Sequence, residues 1–126
     1  MMAETDLKIL VVDDFSATRK IVINILDKLG YNNTAEAEDG STALVMLKSA
    51  LFDLVVIDWS LSEMSGLELL KQIRADSDLR KIPVLMVTAE DIQGIIVPAI
   101  KAGLNDYIVR PFEIQAFKDK IEKIFL

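Results

Sequence analysis

The chain of 126 residues contains no cysteine and no histidine. Without cysteine it has no disulfide framework, no thiol nucleophile and no thiolate ligand for zinc. Without histidine it can form neither a Ser–His pair for nucleophilic catalysis nor an imidazole metal site. A metal ion bound by this chain is therefore a hard cation held by oxygen atoms, such as Mg²⁺ or Ca²⁺.

Positive charge and long apolar runs are also scarce. Lys and Arg number 14 against 20 Asp and Glu, which gives a net charge of −6. Proteins that coat nucleic acid need clustered excess cations, so that class is not expected. No stretch approaches the ~20 apolar residues of a membrane span, and Met1–Asp6 lack the apolar core of a signal peptide. We expect a cytoplasmic protein with neither a membrane nor a nucleic-acid partner.

Apolar residues make up 52% of the chain and charged residues 27%. These fractions are typical of a globular protein and exclude a disordered one. A chain of this length corresponds to one domain, whose core is large enough to need no metal or disulfide for its stability. We therefore expect residues 1–126 to form a single domain.

Short apolar runs alternate with amphipathic segments along the whole chain. The apolar runs predict strands that are buried on both faces, and apolar residues at helical spacing predict helices. The predicted strands are residues 8–12, 34–37, 53–57, 83–87 and 107–109, and the predicted helices are 16–29, 41–49, 63–75, 92–102 and 113–125. In the first helix we expect Ile21, Ile25, Leu26 and Leu29 to face the core. This alternation predicts an α/β fold, a doubly wound parallel five-stranded sheet with helices on both faces.

Polar residues follow several of these strands. Asp13 and Asp14 come after the first strand, Asp58 after the third, Thr88 after the fourth and Arg110 after the fifth. Ligands of such sheets bind beyond the carboxyl ends of the strands, where these residues would meet. The pattern predicts carboxylates, a hydroxyl and a guanidinium at one edge of the sheet.

Each of these residues has a simpler explanation when it is taken alone. Asp14 could cap the helix that begins near Ser16, and Thr88 could be an ordinary strand-end residue. Arg110 could pair with one of the Asp residues, and Tyr107 could be a half-buried aromatic. Several carboxylates at one edge, however, repel each other by several kcal/mol at ~4 Å and low effective dielectric. A bound divalent cation removes this repulsion, so the group favours a metal site.

These strand ends and their neighbours resemble the receiver domain of two-component response regulators, particularly that of the chemotaxis regulators. The likeness runs nearly from end to end, and the paired Asp, single Asp, Thr-Ala and basic-Pro set is specific. The segments that carry it are Leu10–Ser16, Glu36–Gly40, Asp58-Trp59, Gly66–Leu70, Ile73–Asp76, Pro83–Glu90 and Pro111-Phe112. The resemblance implies the flavodoxin-like (βα)5 fold with strand order 2-1-3-4-5.

The resemblance also implies roles for single residues. Asp58 would accept a phosphoryl group from the phosphohistidine of a sensor histidine kinase. Asp14, Asp58 and the backbone carbonyl of Ser60 would ligate Mg²⁺, and Asp13 would act through a water. Thr88 would hydrogen-bond a phosphoryl oxygen. The chain would then be no enzyme beyond its own phosphorylation and dephosphorylation.

Further implied roles concern the fifth strand. Arg110 would supply the cation at the site, Tyr107 would be the switch aromatic together with Thr88, and the peptide bond before Pro111 would be cis. A receiver without an output domain would signal by protein–protein contact, as a monomer, to a downstream target such as the flagellar motor switch.

Three residues near the site depart from the family pattern. The family has Lys at the position of Arg110, Met-Pro where this chain has Leu61-Ser62, and Asp where it has Ser65. Arg carries its charge on a wider planar head than Lys, and it could reach a phosphoryl oxygen or pair with Asp58 or Asp13. These departures motivate one alternative, a pseudo-receiver that binds partners without phosphorylation.

A flavin-binding flavodoxin-like protein is the remaining alternative. Such a protein needs a hydroxyl- and glycine-rich phosphate loop after the first strand. This chain has Asp13 and Asp14 there, and their carboxylates would repel a flavin phosphate.

Overall fold

The computed structural model describes residues 6–61, 63–89 and 93–125. Strands and helices alternate through these residues, as the apolar pattern predicts. The elements are β1 (Ile9–Val12), α1 (Ser16–Lys28), β2 (Thr34–Ala37), α2 (Gly40–Ser49), β3 (Leu54–Asp58), α3 (Gly66–Ala75), β4 (Val84–Thr88), α4 (Gln93–Lys101), β5 (Asp106–Val109) and α5 (Ile114–Ile124). Among the residues described, none of the helices combines the length and the apolar character that a membrane crossing requires.

The strands form one five-stranded sheet in the order β2-β1-β3-β4-β5, and every pair of neighbours is parallel. The predicted α/β class and the order implied by the resemblance are both confirmed. The chain order reverses direction between β1 and β3, which lie side by side at the centre of the sheet. This switch point places the carboxyl ends of β1 and β3 next to each other, where α/β folds bind their ligands.

Alternate side chains of the central strands enter two separate cores. One core packs under α2, α3 and α4 and includes Leu10, Val55 and Met86. The other packs under α1 and α5 and includes Val11, Val56, Leu85, Phe117 and Ile121. Because both faces of the sheet are covered, β1, β3 and β4 are buried at every position, which explains their continuous apolar sequences.

The largest differences from the sequence-based expectation are in the helices α1 and α3. In α1 the buried residues are Val22 and Leu26, whereas Ile21 is 57% exposed. Ile21 instead lines an open groove between α1 and residues 110–112. The helix α3 begins at Gly66 rather than at Glu63, because the Ser65 side chain caps it by accepting the N–H of Glu68 at 3.1 Å.

The fourth helix continues through Pro98, a residue that normally interrupts a helix. The predicted start of this helix, Ile92, lies outside the described residues. Pro98 itself is exposed, while Ala99 beside it is fully buried against the core. The proline ring therefore occupies the outer face of α4 and leaves its inner packing intact.

Candidate functional site

The register of the sheet brings the predicted site residues to one edge. Val12 pairs with Ile57, so Asp13 and Asp58 follow at the same level of neighbouring strands. Asp58 pairs with Val87 on the other side, and Thr88 comes one residue further. The strand ends of β1, β3 and β4 thus present their polar residues side by side.

Asp58 is a buried carboxylate with two kinds of partner. Its side chain is 7% exposed. The Ser60 N–H donates to Oδ1 at 3.2 Å, and Arg110 Nη2 donates to both oxygens at 3.3 Å. Burial raises the pKa of Asp58 and the nearby Asp13 charge adds to this, while the Arg110 cation and the Ser60 N–H oppose it. The site therefore holds a carboxylate that is short of solvation and open to a further cationic or electrophilic partner.

Arg110 pairs with Asp58, one of the two acidic partners considered for it. Its backbone N–H donates to the Thr88 carbonyl at 2.7 Å, which ties the end of β5 to the end of β4. The peptide bond to Pro111 is cis, as the resemblance implies. Only one guanidinium nitrogen contacts the carboxylate, and both distances are long for a charge-assisted bond. The contact is thus weaker than the two-nitrogen fork that Arg can form.

The two acidic residues after β1 are held differently. The Asp13 side chain accepts the N–H of Phe15 at 2.9 Å, and its backbone N–H donates to the Ala37 carbonyl at 3.1 Å. Asp14 does not cap α1, because the N-cap residue is Phe15 and no side chain caps that helix. In the part of the chain that the structure describes, the buried Oδ1 of Asp14 has no hydrogen-bond partner.

A buried carboxylate oxygen without a partner is unfavourable unless something absent from the chain itself satisfies it. The chain has no histidine or cysteine, so the ligands of a metal ion here would be oxygen atoms, which fits a hard divalent cation. Across residues 6–61, 63–89 and 93–125, no three acidic side chains form a closed cation cluster. The carboxylates share an edge, but Asp13 is engaged with Phe15 and Asp58 with Arg110. A cation here would therefore also need carbonyl and water ligands.

The loop between β3 and α3 is anchored on both sides of Ser62, which itself lies outside the described residues. The Gly66 N–H donates to the Trp59 carbonyl at 2.9 Å and closes the loop. A Cβ at Gly66 would stand 2.8 Å from the Asp58 carbonyl oxygen, so any side chain there would have to displace backbone atoms. The Ser41 hydroxyl donates to Glu63 Oε1 and links this loop to α2. These contacts hold the loop without the family's proline.

Thr88 and Tyr107 lie on the same face of the sheet. Met86 pairs with Tyr107, and Thr88 is two residues beyond Met86 on β4. Side chains two residues apart on a strand point to the same face. Thr88 is 3% exposed, whereas Tyr107 is half-buried. Thr88 and Tyr107 thus stand diagonally to each other on the neighbouring strands β4 and β5.

The sequence patterns did not indicate two basic residues that lie near the site, Arg19 and Lys120. Arg19 Nη1 donates to the Asp13 carbonyl at 2.6 Å, and Lys120 lies over the Tyr107 ring with Nζ 5.4 Å from its centroid. Lys120 also pairs with Asp106 at 3.0 Å. Arg19 reaches back six residues to the segment after β1, and Lys120 reaches back to β5, so both contacts depend on how a helix packs against the sheet. In the sequence, only Asp106, directly before Tyr107, indicated that a basic side chain such as Lys120 could lie there.

Comparison with known proteins identifies the family. The model of the response regulator receiver domain matches residues 9–122. The chain therefore belongs to the response regulator receiver domains of two-component signalling, and the resemblance found in the sequence is confirmed. This membership removes the basis for the flavin-binding alternative.

Within that family the chain is similar to chemotaxis proteins. It is 55% identical over 119 residues to the chemotaxis protein CheY of Pseudomonas aeruginosa, covering 94% of this chain and 96% of that protein. It is equally identical over 120 residues to CheY-3 of Vibrio cholerae, covering 95% and 92%.

Solved structures agree with the fold. The chemotaxis protein CheY4 of Vibrio cholerae superposes with a TM-score of 0.87 at 28% identity, over 94% of this chain and 98% of that one. The receiver domain of a sensor histidine kinase from Pseudomonas aeruginosa gives 0.86 at 26% identity, over 96% and 99%. That structure has a magnesium ion coordinated in its active-site cleft.

Proposed function

We propose that this chain is a phospho-accepting receiver that takes a phosphoryl group on Asp58 from a sensor histidine kinase. The observation that carries the proposal is the buried Asp58 carboxylate beside the Arg110 cation, at the sheet edge where Asp14 Oδ1 is buried with no hydrogen-bond partner among the described residues. Such an edge suits a metal ion, which would compensate the carboxylate charge. The metal ion together with Arg110 would then offset the negative charge of an incoming phosphoryl group.

The reaction is a transfer between two side chains. An oxygen of Asp58 forms a bond to phosphorus, the P–N bond to the partner's imidazole breaks, and its electron pair stays on the nitrogen. The product on this chain is an acyl phosphate. Since the chain has no histidine, the donor imidazole must come from another protein.

The chain's own residues would lower the barrier by position and charge. Asp14, Asp58 and the Ser60 carbonyl would hold Mg²⁺, with Asp13 acting through a water. Mg²⁺, when bound, would neutralise the charge on the phosphoryl oxygens. Arg110 is already at the carboxylate, so its always-charged guanidinium can follow the phosphoryl oxygens after transfer.

The output would pass through a change at Thr88 and Tyr107. A hydrogen bond from Thr88 to the phosphoryl oxygen would move that side chain, and Tyr107 on the same face would respond. We propose that a monomer acts in the cytoplasm through a protein contact on this face. The likeness to chemotaxis proteins supports a motility target such as the flagellar motor switch.

Intact mass after incubation with acetyl phosphate and Mg²⁺ tests the proposal. We expect wild type to gain one phosphoryl mass, and Asp58→Asn or wild type with a chelator to gain none. A known receiver treated in parallel controls for the activity of the reagents. Wild type that stays unmodified beside a labelled control receiver would overturn the proposal in favour of the pseudo-receiver, which no comparison supports at present.

A further inference from the structure

The guanidinium of Arg19 joins three parts of the fold next to Asp13, the first of the two acidic residues that follow β1. Its Nη1 donates to the Asp13 carbonyl at 2.6 Å, and its Nε donates to Glu36 Oε1 on β2 at 2.6 Å. The Arg19 side chain is 14% exposed and that of Glu36 is 40% exposed. One planar head thus spans α1, the end of β1 and β2.

The position of this contact matters because Asp14 has no hydrogen bond of its own at Oδ1 among the described residues. The Asp13 carbonyl belongs to the peptide unit that carries the Asp14 nitrogen. A hydrogen bond that fixes this carbonyl also fixes the plane of the peptide unit. It thereby limits the directions in which the Asp14 side chain can extend from the backbone. The Phe15 N–H, which holds the Asp13 carboxylate at 2.9 Å, follows directly in the chain.

We infer that Arg19, with Glu36, is a positioning residue that orients Asp13 and Asp14 for a divalent cation. The inference depends on the metal site of the proposed function. Among the described residues, the hydrogen bond of Arg19 to this segment goes to the Asp13 backbone carbonyl and not to the carboxylate of Asp13 or Asp14. Glu36 holds the guanidinium in place and balances its charge.

A positioning role and a purely electrostatic role of Arg19 predict opposite changes in Mg²⁺ affinity when Arg19 is removed. The direction of that change therefore distinguishes the two roles. If Arg19 mattered only as a cation close to the site, its removal would strengthen Mg²⁺ binding, because like charges repel. If it orients the ligands, its removal weakens Mg²⁺ binding. Removal of a cation that has no hydrogen bond to Asp13 among the described residues should show only the effect of charge on Mg²⁺ affinity. Lys20, exposed on the same helix, is that control.

The test is a Mg²⁺ titration, followed by Trp59 fluorescence, of wild type, Arg19→Met, Arg19→Lys and Lys20→Met. We expect Arg19→Met to weaken Mg²⁺ binding by about five- to tenfold. Arg19→Lys should weaken it by about threefold, because a single ammonium replaces a fork that spans two acceptors. Lys20→Met should stay within about twofold of wild type.

Amide exchange of the Phe15 N–H in metal-free protein gives a second measurement that does not involve Mg²⁺. We expect faster exchange in Arg19→Met and Arg19→Lys than in Lys20→Met. If Arg19→Met does not fold, Arg19→Lys carries the test. Mg²⁺ affinity equal to or above that of wild type in the Arg19 variants would overturn the inference, as would unchanged Phe15 exchange.

An Asp14→Ala variant separates this inference from the proposed function. If wild type binds Mg²⁺ and Asp14→Ala does not, the metal site stands and the Arg19 variants test only the positioning. If wild type gives no Mg²⁺ response, the proposed metal site fails. Phe15 exchange then still decides whether Arg19 orders the end of β1.

Discussion

Gly66 and Gly40 are the first residues of two helices, and the same substitution to alanine should affect them very differently. Gly66 begins α3 and Gly40 begins α2. Neither has a positive φ, so an alanine is compatible with the backbone at both positions. The difference lies in what a new methyl group would contact.

At Gly66 a Cβ would stand 2.8 Å from the Asp58 carbonyl oxygen and 3.0 Å from the Trp59 Cα. Both are backbone atoms at the end of a buried strand, so the helix or the strand must move. Overpacking of this kind costs about 1–3 kcal/mol. The better helix propensity of alanine offsets at most about 1 kcal/mol of that. We expect Gly66→Ala to lose about 1–2 kcal/mol of unfolding free energy.

At Gly40 the nearest atoms to a Cβ are Met64 Cγ and Sδ, both at 2.6 Å. A methionine side chain has several rotatable bonds, so it can move away at lower cost than the backbone atoms beside Gly66. Gly40→Ala should therefore change the free energy of unfolding by less than about 0.5 kcal/mol. Whether the change stabilises or destabilises depends on how much the higher helix propensity of alanine contributes. Gly40→Ala is the matched control for the helix effect.

Urea denaturation of both variants and wild type measures the difference. With a slope of about 1.5 kcal/mol per molar urea, a loss of about 1–2 kcal/mol moves the midpoint down by ~0.7–1.3 M. Gly66→Ala should also accept phosphoryl groups more slowly, since the displaced backbone carries Asp58. A Gly66→Ala midpoint that coincides with that of Gly40→Ala would refute the reasoning.

Three further predictions concern the charges at the site. Asp14→Ala should abolish the Mg²⁺-dependent quenching of Trp59 fluorescence and the rise in thermal stability with Mg²⁺, and an unchanged titration would place the ion elsewhere. Arg110→Lys should leave the labelling rate roughly unchanged but enlarge the phosphorylation-induced NMR shifts near Tyr107, because transfer needs charge whereas switching needs a contact that differs between two states. Equal NMR shifts in wild type and Arg110→Lys would show that arginine replaces the family's lysine fully in switching. Because burial raises the pKa of Asp58, the folded state binds its proton more tightly than the unfolded chain, and the stability falls as the pH rises from about 3.8 through the raised pKa. Asp58→Asn should thus unfold at higher urea than wild type at pH 7, with the gap narrowing toward pH 4, and identical midpoints at pH 7 would contradict this.

The amino-acid sequence by itself determined the layers of the fold and the composition of the site. Continuous apolar runs such as residues 54–57 occur where both faces of a sheet are covered, and this predicts a parallel sheet. A parallel sheet brings all its carboxyl ends to one edge, so Asp13, Asp58 and Thr88 could be assigned to one place before any coordinates. The absence of histidine and cysteine limited the metal to oxygen ligands.

The tertiary structure decided which partners those residues have. Three partners were open for Arg110, and only the arrangement of β3 and β5 around β4 shows that it contacts Asp58 through one nitrogen. The start of α3 depended on the Ser65 cap, which competes with an apolar pattern that continues before it. Arg19 could not be assigned at all, because its contacts join residues 6 and 17 positions apart whose meeting depends on how α1 lies across β1 and β2. Local patterns report burial and turn chemistry, whereas the pairing of charged side chains depends on distances between elements that only the packed fold sets.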